Sequence, residues 1–100
     1  MPVRHVTLTP NVVSTVSVAG TNYDNVGITH EGNVTPLVSA TTNGVDPVAD
    51  ADDTYNILSG TQRSIPAPAT YTASTGARSS VASSVKLLCT AAARVEVEFG

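Results

Sequence analysis

Four of the chain's eight acidic residues, Asp46, Asp50, Asp52 and Asp53, fall within one short stretch, NGVDPVADADDTYNIL. Carboxylates at this density are what a calcium site is built from, since the ion takes about six to eight oxygen ligands. The spacing does not follow. A helix-loop-helix calcium site needs oxygen ligands at alternate positions, a glycine at the turn and a distal glutamate, and DADDTYNILSG has neither that glycine nor a glutamate. The stretch therefore reads as a solvated loop held by Asx-type turns, with Asn43-Gly44 marking one of them. With so few charges elsewhere, it carries much of the chain's solubility, and no structural metal is expected.

Other groups capable of chemistry are sparse. The two histidines, His5 and His30, lie in or beside apparent strands, and none of the ten serines sits in a Gly-x-Ser-x-Gly elbow. A histidine at a strand end reads as a surface residue, and His30 beside Glu31 as an exposed polar contact. Cys89 reads as a small buried hydrophobe, because no motif places a His or Lys to activate it. Asn33-Val34-Thr35 matches a glycosylation acceptor, which matters only in a secretory context. Nothing in this inventory calls for a cofactor or for catalysis, and an enzyme is not expected.

The elements that carry these residues follow from composition. Val, Thr, Ser and Ala make up 51 of 100 residues, and the β-branched types among them favour a pleated, half-buried surface. Only 13% of residues are charged and 4% aromatic, so the core is assembled mainly from Val, Ile, Leu and Ala. A chain of this length accommodates one core, hence one domain over residues 1–100. A net charge of −3 with only five scattered basic residues offers no patch for phosphates, so nucleic acid is not expected as a partner. The opening MPVRHVTLTP lacks a charged-then-apolar leader pattern and no apolar run reaches the ~20 residues of a membrane span. With its lone cysteine, the chain is expected to be made in the cytoplasm, without a membrane partner.

Along the chain, VRHVTLTP predicts a strand closed by Pro10. In NVVSTVSVAG, Val12, Val16 and Val18 alternate against Thr15 and Ser17. Val26 and Ile28 mark a third strand. Pro36 within VTPLVSAT points to an edge strand or an interruption. TYNILS and TQRSIPA, on either side of Ser59-Gly60, predict a hairpin turning near the glycine. PAPATYTASTGARSS has no period, so a long loop is expected around residues 66–80. In SVASSVKLLCTAAARVEVEFG both helical and strand periods are legible. The closing alternation of Val95, Val97 and Phe99 with Arg94, Glu96 and Glu98 favours two strands with a turn near Thr90 to Ala92. The sum is an all-β fold: a single small antiparallel β-sandwich or barrel-like domain of about eight short strands.

The order PVRHVTLTPNVVSTVSV, YDNVGITHEGN, TTNGVDPVADADDTYNIL and SSVKLLCTAAARVEVEF resembles small virion proteins of tailed bacteriophages that infect actinobacteria. The similarity spans nearly all of the chain and is to proteins that coat or complete the head. It implies a capsid decoration or minor capsid protein at the virion surface. It further implies binding to the lattice of the major capsid protein and assembly as a trimer or dimer. A small tail or head-tail connector protein is the nearest alternative. A β-sandwich module recognising carbohydrate or protein is another, weakened by the scarcity of aromatics. Because the 65–80 segment is long, aperiodic and neither charged nor Gly-rich, partner contact is expected there, at Ile65, Pro66, Pro68, Tyr71 and Arg78.

Overall fold

The computed structural model describes residues 3–17, 23, 25–52, 54–66, 69–72, 77–80 and 84–100. They form ten strands and, among the described residues, no helix: β1 (Val3–Thr7), β2 (Ser14–Ser17), β3 (Asn25–His30), β4 (Val38–Thr41), β5 (Tyr55–Ile57), β6 (Gln62–Pro66), β7 (Ala69–Thr72), β8 (Ala77–Ser80), β9 (Ser84–Leu88) and β10 (Arg94–Phe99). Eight of them build two four-stranded antiparallel sheets, ordered β1-β10-β3-β6 and β2-β9-β4-β5. The protein is an all-β sandwich.

The pairing has a simple rule. Leaving β7 and β8 aside, the first strand pairs with the last, β2 with β9, β3 with β6 and β4 with β5. This is one long antiparallel ribbon doubled back at β4-β5. Rolling it up brings β10 beside β3 and β9 beside β4, which is the double Greek-key wrapping of a jelly roll. Consecutive strands therefore alternate between sheets over most of the chain. TYNILS and TQRSIPA do not form the expected hairpin: β5 belongs to one sheet and β6 to the other, and the turn at Gly60 (φ 74°) is a bridge between layers.

Each sheet turns one row of side chains inward. In the first, the register stacks Phe99, Val26 and Ile65 in one rung, Val97 beside Ile28 in the next, and Val95 beside His30 in the third. All seven are fully buried. In the second, Val16 faces Val85, Leu87 faces Ala40, and Val38 faces Ile57, with Cys89 and Leu8 completing the core. The alternation read in the C-terminal segment is the alternation observed, and 84–88 is strand rather than helix. Val12 departs from expectation. It lies outside β2 and is about half exposed, because the chain leaves β1 through Asn11 in the left-handed region (φ 61°) and joins the ladder only at Ser14. Val18 falls outside the described residues.

Pro36 interrupts its segment, as its missing N–H requires, and β4 begins two residues later. The strand is central, not an edge, with β9 and β5 on its flanks. Segment 66–80 also departs from the expected loop: Ala69–Thr72 pairs with Ala77–Ser80 as a two-stranded sheet of its own, inserted between β6 and β9. Its strands are four residues each and, apart from Tyr71 and Arg78, composed of Ala, Ser and Thr, which is why no hydrophobic alternation announces them.

Candidate functional site

Antiparallel alternation assigns every connection to one of two ends of the sandwich. The β1–β2, β3–β4, β5–β6 and β9–β10 connections share one end. The β2–β3 and β4–β5 connections, the departure point of the β7–β8 insertion and the C-terminal end of β10 share the other.

The first end is laced shut. Leu8 N–H donates to Ala93 O (2.9 Å), Asn11 N–H to Cys89 O (2.9 Å) and His30 N–H to Thr61 O (2.9 Å). Ser59 Oγ donates to Val34 O at 2.7 Å. Asn33 bridges two connections by itself, its amide nitrogen donating to Ala92 O (3.0 Å) and its amide oxygen accepting from Arg94 N–H (2.8 Å). The side chain that a glycan would modify is thus committed to holding this end together.

At its centre lies His30, which is fully buried rather than exposed. Gly32 N–H points at Nδ1 from 3.0 Å, so Nδ1 is the acceptor, and Nε2–H then donates to Pro36 O at 2.9 Å. Both nitrogens of a neutral imidazole are used to fix the β3–β4 connection. Glu31 turns away and approaches Arg94 instead, at 3.9 Å. Cys89 is buried, with Sγ 3.8 Å from the same Pro36 carbonyl.

The acidic stretch starts at the opposite end and folds back over the outer surface of the second sheet. That is why all four residues of β4 are buried, including Ser39 and Thr41. Thr41 Oγ donates to Val45 O, and Asp50 N–H donates to Ser39 Oγ (3.0 Å), whose hydroxyl donates to Asn56 Oδ1 (2.9 Å). Asn43 Oδ1 accepts Val45 N–H at 3.1 Å, an Asx turn completed by Gly44 at φ 83°. Asp46 reaches Lys86 across the sheet at 2.8 Å. Pro47 is buried as an anchor, and Val45 and Val48 are left standing outward, about 60% exposed. The loop's shape is held by side-chain hydroxyls and amides, and among the described residues no three His, Cys, Asp or Glu converge to hold a metal. Asp53 lies outside the described residues.

Of the residues expected to meet a partner, Ile65 does not qualify. Its side chain is fully buried in the core rung with Val26 and Phe99, since β6 continues through it as the edge of the first sheet. Pro66 is exposed at the sandwich end, its carbonyl accepting from Thr42 Oγ at 3.2 Å. That bond joins the acidic loop to the root of the insertion. Tyr71 and Arg78 are register partners within the β7–β8 hairpin, and Pro68 lies outside the described residues. The structure thus gathers Pro66, the root of the hairpin and the root of the acidic loop at one end. The sequence offered no sign of that proximity, because 24 residues separate Thr42 from Pro66.

The two sides of the sandwich differ. At one, Arg63 of β6 spans the layers, donating from Nη1 to Asn56 O (3.2 Å) with Cζ lying 5.2 Å from the centre of the Tyr55 ring. At the other, β1 and β2 are the edge strands of their sheets among the described residues. Comparison with family models, with curated proteins and with solved structures finds no match for this chain.

Proposed function

We propose that this protein is a non-enzymatic virion component that decorates and stabilises a bacteriophage head by binding the lattice of its major capsid protein. The observation that supports this reading best is the division of labour between the two ends. One end is closed by a hydrogen-bonded network around a buried histidine. The other carries the root of the β7–β8 hairpin and the root of the acidic loop, which then holds Val45 and Val48 outward over the second sheet. The hydrogen-bonded acidic loop suits a rigid protein partner, because little conformational entropy of that loop is lost when it docks. The edge strands β1 and β2 suit contact between copies in a trimer or dimer. The resemblance in sequence order to phage head proteins supplies the identity of the partner, and the fold by itself does not.

Mass spectrometry of gradient-purified virions tests the reading. The protein is expected at a fixed, high copy ratio to the major capsid protein and in capsids that lack tails. Its absence from purified virions overturns the proposal, and its presence only with tails transfers it to a connector or tail role.

A further inference from the structure

Gly27 occupies the middle of β3, between the fully buried Val26 and Ile28. Neither backbone nor packing asks for a glycine there. Its φ is not in the left-handed region, where Gly32, Gly44 and Gly60 lie. A Cβ added at Gly27 would meet Gln62 Nε2 at 3.6 Å, Glu98 O at 3.7 Å and Glu98 Cβ at 3.9 Å, all ordinary contacts. A glycine inside a strand weakens it, and where the chain itself does not require one it commonly marks close approach by something else.

What the missing side chain supplies is space. A hollow of about 200 Å³ opens on the outer face of the first sheet, lined by Asn25, Gly27, Gln62, Ser64, Glu98 and Gly100. The register explains it: Glu98, Gly27 and Ser64 form one cross-sheet rung, so the rung has walls at both sides and only backbone between them. Every named side chain in this hollow can accept a hydrogen bond, one is a carboxylate, and none is basic. Glu96 lies on the same face, two residues away. Among the described residues Glu98 has no basic partner, whereas Asp46 has Lys86 and Glu31 has Arg94.

We propose that this hollow is a binding site for a guanidinium group, the arginine side chain of a protein partner. A planar fork places two N–H groups on the Glu98 carboxylate. Its remaining donors meet the amide oxygen of Asn25 and the Ser64 hydroxyl, and its flat face rests on the Gly27 backbone. An ammonium group, a point charge without a plane, uses less of this geometry. The site stands independently of the coat reading, which bears only on which protein brings the arginine.

The test is a titration of the intact, ¹⁵N-labelled protein with Nα-acetyl-arginine amide, followed by amide chemical shifts. Saturable shifts are expected at Asn25, Gly27, Gln62 and Glu98. The neutral citrulline counterpart should produce none, and the lysine counterpart should bind more weakly. Glu98→Gln should weaken binding about tenfold. Gly27→Val, which suits a strand and fills the hollow, should abolish it while the remaining spectrum stays folded. No saturable response in the wild type, an equal response to citrulline or lysine, or undiminished binding in both variants overturns the proposal.

Discussion

A single imidazole carries much of the order at the closed end of the sandwich. His30 is surrounded by Val95 and the β3–β4 connection, accepts from Gly32 N–H and donates to Pro36 O. Replacing it with Ala leaves a backbone donor and a backbone acceptor without partners and opens a cavity among buried groups. Each unpaired group costs about 1–3 kcal/mol, so His30→Ala is expected to lose roughly 2–6 kcal/mol of unfolding free energy in a urea titration. A loss below about 1 kcal/mol would mean that water or a shifted backbone replaces the ring. The sequence did not reveal this residue, because a histidine at a strand end looks the same whether the following connection folds over it or away from it. Its partners are two and six residues downstream, in a segment whose path is set by tertiary packing. Ile65 is the converse case: it belongs by composition to the Pro/Ala segment and by position to the core.

At the scale of elements, period-2 patterning identified which residues face inward along β3 and β10, since burying one sheet face enforces alternation, whereas along β9 it competed with a helical period. It did not identify partners. A strand bounded by a glycine turn, such as β5 or β6, can form a hairpin or step between layers with the same local chemistry, and only the full set of pairings decides. The β7–β8 hairpin stayed hidden because ATYT and ARSS, mostly small residues, carry no inward-outward alternation. The strand assignment has a direct check: Val97 is fully buried between Val95 and Phe99 on the inner face of β10. Val97→Asp should cost about 4 kcal/mol or more, enough to unfold a small domain, visible as loss of the β spectrum in circular dichroism. Unchanged melting would place that face outside the core. The acidic loop yields a second prediction at this scale. Its turns are closed by Ser39, Thr41, Asn43 and the Asp46–Lys86 pair, so micromolar calcium should leave the melting temperature unchanged. A rise of several degrees that is lost in the double variant Asp50→Asn/Asp52→Asn would show that a cation, and not these side chains, organises the loop.

For the molecule as a whole, the jelly-roll wrapping separates stability from contact. The ribbon of eight strands buries a continuous apolar core, and the β7–β8 insertion leaves it between β6 and β9 as a two-stranded sheet of its own. Removal of the insertion should therefore leave the sandwich standing, because no ladder hydrogen bond of the two sheets is lost with it. Replacing residues 67–82 by a short Gly/Ser linker is expected to preserve the circular dichroism spectrum and to shift the melting temperature only slightly. The coat reading assigns this end of the molecule to the shell, and the same variant tests that assignment. The decisive measurement is co-sedimentation with capsids that lack the protein, titrated with the intact chain and with the linker variant. Saturable binding of the intact protein and loss of binding by the folded variant are expected; a variant that binds undiminished, or an intact protein that stays in the supernatant, overturns the assignment of this end to the shell.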